Sequence, residues 1–289
     1  MENKNNNRSE LLGSAPITSL MIKFAVPSII AMLVGALYNI VDQLFIGHAV
    51  GQLGNAATNI AFPFSTSCLS LALLFGIGGA SCFNLNMGRG EREKAPYFVG
   101  NATVMMLICG AVLLVVTQIF LTPLLKLFGS PAEVLPLAEE YVRITSLGFP
   151  FMIITTGGGH LIRADGNPKM TMVCNLLGAG INTVLDALFV LGFDWKMSGA
   201  AWATVIGQVI SGTVAIVCIA RYKTVRLEAK HLRIRWQYTS RIIAIGMASF
   251  FNQIAMMVVQ IAMNNLLKHY GALSVFGESI PIAVSGIIL

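Results

Sequence analysis

Two aspartates, Asp42 and Asp186, sit in runs that are otherwise almost wholly apolar: "LYNIVDQLFIG" (37–47) and "INTVLDALFVLG" (181–192). A carboxylate at the centre of a lipid-spanning helix costs about 2.5–3.5 kcal/mol, so its presence asks for a compensating role. Asn182 lies four residues before Asp186 and shares its face on a helix, and Asn175 extends that face. A further apolar run carries Thr204, Gln208 and Ser211 at helical spacing. Two carboxylates held close repel, and desolvation disfavours charge on either, so both effects favour proton uptake. A small hard cation such as sodium relieves the same stress through oxygen ligands. Asp42, Asp186, the Asn182 carbonyl oxygen and the Thr204 hydroxyl form an all-oxygen set, which implies an exchangeable cation or proton site. The alternative is that both aspartates lie near loops and are wetted from one side. The apolar residues Leu44-Phe45-Ile46 and Ala187-Leu188-Phe189-Val190, which continue beyond them, argue against it.

The elements that must carry these groups are transmembrane helices. The chain has 289 residues, 55% hydrophobic and 11% charged, where a soluble domain carries about 25% charged residues. A spanning helix needs about 20 mainly apolar residues. Seven such stretches are legible, roughly 24–46, 56–83, 97–122, 136–161, 170–191, 199–220 and 242–266, and an eighth opens near Glu278. The first is too long for a signal-peptide core and reads as a retained span. The fold class is all-α polytopic membrane protein.

Charge sets the orientation. With a cytoplasmic N-terminus, 15 of the 19 basic residues fall on the cytoplasmic side, and only Lys126, Arg143, Lys196 and Lys268 fall outside. The net charge of +6 is thus a topology signal rather than a nucleic-acid footprint. The most basic segment, 221–240, reads as a cytoplasmic surface loop near anionic lipid and as a linker between two bundles. At 1.5 Å per residue, Asp42 lies about 27 Å and Asp186 about 24 Å from the inner boundary, and Thr204 about 22 Å. All three fall at nearly one level, on polar stripes that turn towards the bundle interior.

Other candidates read as packing. Cys68, Cys82, Cys109, Cys174 and Cys218 all lie in apolar runs without CxxC spacing. His48, His160, His231 and His269 fit no zinc pattern. "FGIGGASC" and "MGRGERE" lack the P-loop spacing, so no nucleotide cofactor is implied. Gly76, Gly78, Gly79 and the run "TTGGGH" (155–160) suit close helix approach in lipid. Pro27 is positioned to kink the first span. Gln253, Gln260 and Asn264 share one face of the seventh span, where interhelical hydrogen bonding is the plainer reading and a substrate cavity the sharper one.

The segments "MIKFAVPSIIAMLVGALYNIVDQLFIGHAVGQLG", "GIGGASCFNLNMGRGEREKA", "LIRADGNPKMTM", "INTVLDALFVLGFDWKMSGAAWATVIGQ" and "YGALSVFGESI" together resemble the MATE (multidrug and toxic compound extrusion) family, from about residue 12 onward. The resemblance implies two six-helix lobes related by a pseudo-twofold axis, and exchange of Na+ or H+ for amphipathic, often cationic organic compounds. It implies a coupling site at Asp42, Asn182, Asp186 and Thr204, and a bending role for Pro27. No cofactor, no catalytic residues and no nucleic-acid partner are implied; the partners are small organic substrates and the bilayer of a prokaryotic plasma membrane.

The resulting organisation is a polar N-terminal segment (1–20), a six-helix N-lobe (21–220), a basic inter-lobe linker (221–240) and the start of a second lobe (241–289). On the family pattern about five helices are missing, so the chain is expected to be a fragment. With an offset of 220, Gly51, Leu53 and Ile60 meet Gly271, Leu273 and Ile280, while Asp42 meets Ala262 or Met263, leaving the acidic site to the first lobe alone. Two other functions compete with this reading. A lipid-linked oligosaccharide flippase of related architecture needs a basic central cavity, whereas the basic residues here lie in loops. An intramembrane aspartyl protease needs a GxGD signature, which neither aspartate carries.

Overall fold

The computed structural model describes residues 16–274 and 277–288. Its helices are α1 (Ile17–Ala49), α2 (Gln52–Gly88), α3 (Ala95–Leu127), α4 (Leu135–Thr145), α5 (Phe149–Ala164), α6 (Pro168–Asp186), α7 (Lys196–Ala220), α8 (Trp236–Ala272) and α9 (Ser279–Ile288). No strand occurs among the described residues. Four helices, α3 to α6, carry a proline in their first turn, where its fixed φ suits the helix and its missing N–H costs nothing.

Five helices among the described residues are long and apolar enough to cross a membrane: α2, α3, α6 with its continuation to Gly192, α7 and α8. The fourth expected span is not one helix. A 3₁₀ turn at Ser146–Gly148 divides it into α4 and α5, just ahead of Pro150. The fifth does not end as an α-helix either, because beyond Asp186 the backbone widens into a π-helical turn, Ala187–Gly192. Helix α3 bends at Phe120 (φ −106°, ψ 23°), three residues before Pro123, whose ring cannot accommodate a straight preceding turn. Pro27 lies inside α1.

Helix α2 is the axle, packing against α3, α5, α8 and α9. Glycines permit this. A Cβ on Gly76 would sit 2.6 Å from the Gly157 backbone of α5, and one on Gly78 would sit 2.2 Å from the Ile242 carbonyl of α8. In lipid, where apolar surface gains little by leaving the solvent, such backbone contact is what holds helices together. A second group, α1, α6 and α7, packs mutually beside this axle.

The repeat register needs correction. The left-handed glycine before α2 is Gly51 (φ 80°), and its counterpart before α9 is Gly277 (φ 70°), not Gly271, which lies inside α8. Those two turns are 226 residues apart rather than the 220 read from the sequence.

Candidate functional site

Asp42, Asn182, Asp186 and Thr204 come together where α1, α6 and α7 meet. Asp42 is seven residues from the end of α1, and Thr204 eight residues from the start of α7. Asp186 is the last α-helical residue of α6 and is followed by the π turn. At 1.5 Å per residue Asp42 and Thr204 lie about 10–12 Å inside those helix ends.

The four side chains are buried: Asp186 is 0% exposed, Asn182 2%, Asp42 6% and Thr204 7%. Asp42 on α1 and Asp186 at the end of α6 stand on two helices that pack directly together. The Asn182 Nδ2 group donates to Thr204 Oγ1 at 3.2 Å. This bond fixes the amide, leaving its carbonyl oxygen pointing elsewhere. Asp42 Oδ1, Asp186 Oδ1, Asp186 Oδ2 and Asn182 Oδ1 have no hydrogen-bond donor among the described residues. Four buried acceptor oxygens without donors are costly, each by roughly 1–3 kcal/mol and more when charged.

The local sequence explains the arrangement. Gly178 and Gly207 let α6 and α7 touch, since a Cβ at Gly207 would lie 2.9 Å from the Gly178 carbonyl oxygen and 3.2 Å from Asn182 Cβ. One turn beyond that contact on each helix stand Asn182 and Thr204. The π turn after Asp186 adds an extra residue per bond ring, a distortion that recurs at functional positions. The donor set is entirely oxygen and suits a hard cation, and the carboxyl pair equally suits a proton.

A family model described as MatE matches residues 27–188, which include Asp42, Asn182 and Asp186. The chain belongs to the MatE family. Multidrug export protein MepA of Staphylococcus aureus (strain MSSA476) is 26% identical over 268 residues, covering 92% of this chain and 59% of that relative. MepA of Staphylococcus haemolyticus (strain JCSC1435) is 27% identical over 266 residues, covering 91% of this chain and 59% of that relative. A solved structure of the MATE multidrug transporter DinF-BH aligns with a TM-score of 0.86 at 30% identity, over 96% of this chain and 61% of that one. This MatE chain therefore spans about three fifths of the length of these relatives. It is a multi-pass membrane protein of the MATE fold.

The remaining predicted residues of this MatE chain are placed unevenly. Gln260 and Asn264 are buried in a network between α8 and α2, where Gln260 Nε2 donates to Asn59 Oδ1 at 2.9 Å and to Asn264 Oδ1 at 3.3 Å. Asn59 Nδ2 in turn donates to the Ile282 carbonyl at 2.6 Å, tying in α9. A cavity of about 60 Å³ beside them is lined by Gln43, Thr58, Asn59, Phe62, Gln260 and Gly286. That volume holds a water rather than a drug-sized molecule, which needs about 300–1,000 Å³. Gln253 is half-buried two turns earlier and does not join the network. The polar stripe on α7 also divides: Thr204 faces Asn182, Gln208 abuts Gly148 at the 3₁₀ break, and the Ser211 hydroxyl donates to the Cys174 carbonyl at 2.8 Å. Sequence reasoning missed Asn59, although an asparagine within an apolar run was its visible signal.

Proposed function

We propose that this chain forms the ion-coupling lobe, and the opening of the second lobe, of a cation-driven exporter of amphipathic, often cationic organic compounds. The observation that carries this reading is the convergence of four unpaired acceptor oxygens at Asp42, Asn182 and Asp186 in a buried three-helix junction. A bound Na+ or H+ supplies the charge compensation that this junction lacks. Asp42 and Asp186 hold the positive charge, Asn182 offers its carbonyl oxygen, and Thr204 fixes the Asn182 amide. Gain or loss of that charge changes the packing of α1 against α6 and α7, and Pro27 is the point where α1 bends in response. The names of the relatives, multidrug export protein and multidrug transporter, support the substrate class. In this reading 21–220 is the first lobe, 221–240 the linker and 241–289 the opening of the second, and Gln260 and Asn264 tie α8 to the first lobe through Asn59 rather than lining a drug-sized cavity. The N-terminus is cytoplasmic and the membrane is a prokaryotic plasma membrane. Transport involves no covalent chemistry and no organic cofactor.

The test is dye efflux from proteoliposomes under an imposed Na+ or H+ gradient, using the chain in its native context. Asp42→Asn and Asp186→Asn should each abolish gradient-driven efflux while leaving membrane insertion and yield unchanged. An unaltered efflux rate in both variants removes the carboxyl pair from the mechanism.

A further inference from the structure

The basic segment after α7 is not a slack connection. Its start is tied down where the Lys223 and Thr224 backbone N–H groups and the Thr224 hydroxyl donate to the Asp165 carboxylate at 2.6–3.1 Å. Its end is tied by Asn101 of α3, which is 0% exposed. Asn101 Nδ2 donates to the His231 and Arg233 carbonyls, and Asn101 Oδ1 accepts from the Arg235 N–H at 2.8 Å and from the Thr239 hydroxyl. Gly100 admits the strand of chain against the helix flank, for a Cβ there would lie 2.3 Å from the His231 oxygen. The segment therefore runs alongside the first turns of α3, within about 10 Å of its cytoplasmic end at 1.5 Å per residue. A helix of 33 residues is about 50 Å long against a hydrocarbon core of about 30 Å, so a stretch of this order at each end reaches beyond the core.

Backbone geometry then decides which side chains face out. Arg233 and Arg235 are extended (φ −68°, ψ 123° and φ −127°, ψ 117°), so successive side chains alternate. His231 is buried and the Arg235 guanidinium lies 4.8 Å over the Tyr97 ring, so both lean on the body of the protein, whereas the Arg233 side chain is exposed. Leu232, Ile234 and Trp236 are 45%, 49% and 75% exposed. Three large exposed apolar side chains, two just before α8 and one on its first residue, need a partner. Around them, residues 221–241 hold seven basic side chains against one acid, Glu228, which is paired with Lys230 at 2.8 Å. Arg221, Lys223, Arg226 and Arg233 are exposed.

We propose that residues 232–236 form an interfacial strap that docks on anionic phospholipid in the cytoplasmic leaflet. Leu232, Ile234 and Trp236 enter the headgroup boundary, and the surrounding arginines and Lys223 take up lipid phosphates. Tryptophan suits this position because its ring is apolar and its N–H remains wet. Attraction of basic residues to anionic lipid falls off within a Debye length, so the docking is salt-sensitive. A strap clamped to α3 and leading directly into α8 would make the lipid surface a fixed support for the junction between the two helix groups.

The experiment uses fluorescence and does not depend on transport. Trp195→Phe and Trp202→Phe leave Trp236 as the single tryptophan in the reconstituted chain. Bilayers doped with acyl-brominated phosphatidylglycerol should quench Trp236 several-fold more than bilayers with the same fraction of brominated phosphatidylcholine. High salt, or the exposed-side-chain double variant Arg226→Gln/Arg233→Gln, should remove the difference. Equal quenching by both lipids in the parent would overturn the headgroup preference. Absence of quenching by either would place the strap off the membrane, against protein or water, and overturn the proposal altogether.

Discussion

Gly207→Ala adds one methyl group where α7 crosses α6, and its consequence follows from distances. The new Cβ would lie 2.9 Å from the Gly178 carbonyl oxygen, where ordinary contact begins at 3.4 Å. The helices must therefore part by about 0.5 Å at this point, the difference between those distances. One turn away the Asn182–Thr204 hydrogen bond is already 3.2 Å long, and the same displacement carries it to about 3.7 Å, beyond hydrogen-bonding range. A buried amide then loses its partner, at roughly 1–3 kcal/mol. Replacing glycine by alanine within a helix gains about 1 kcal/mol, so the net effect is a loss of about 0–2 kcal/mol. The control is Gly180→Ala on the same junction helix, where nothing lies within 4 Å of the added carbon. That variant should be neutral or up to about 1 kcal/mol more stable. Denaturant unfolding in detergent measures the stability, and the ion-concentration dependence of dye efflux measures the site. Gly207→Ala should weaken ion dependence, and Gly180→Ala should not. Identical behaviour of the two variants would refute the claim that the Gly178–Gly207 contact positions the coupling residues.

Asn101→Ala removes the clasp on His231, Arg233, Arg235 and Thr239 and leaves buried backbone groups unpaired, so proteolytic cleavage within 221–240 should accelerate about tenfold for each 1.4 kcal/mol lost, while cleavage elsewhere stays unchanged. Asp165→Ala should release the other end of the segment, seen as faster hydrogen exchange at Lys223 and Thr224 but not at Arg235. The strap should also loosen in acid. His231 Nδ1 accepts the Glu228 N–H at 2.9 Å, and burial, together with Lys230 beside it, holds the imidazole below its ordinary value of 6.5. A group whose folded value is lowered contributes stability in full above 6.5 and loses it as pH falls through the folded value. Hydrogen exchange at Glu228 should therefore rise below that pH, and His231→Gln should flatten the dependence.

Much of the site was written in the sequence. Asp42, Asn182, Asp186 and Thr204 were legible because lipid makes every buried polar group conspicuous, and because a rise of 1.5 Å per residue converts position into depth. Long apolar runs also placed most of the helices, and the basic character of 221–240 was visible in its composition. What sequence could not supply was which polar group meets which. Gln208 and Ser211 share a stripe with Thr204, yet each turns to a different neighbour, Gly148 and the Cys174 carbonyl. Gln260 and Asn264 share a stripe with Gln253, yet only the first two join the network with Asn59. Nor did periodicity reveal the 3₁₀ break at Ser146–Gly148 or the π turn after Asp186, since both leave the apolar run unbroken. Helical spacing assigns a residue its depth and its face, quantities fixed within one segment. The azimuth at which two helices meet depends on where glycines let backbones touch, and that is decided only when all the helices are packed together.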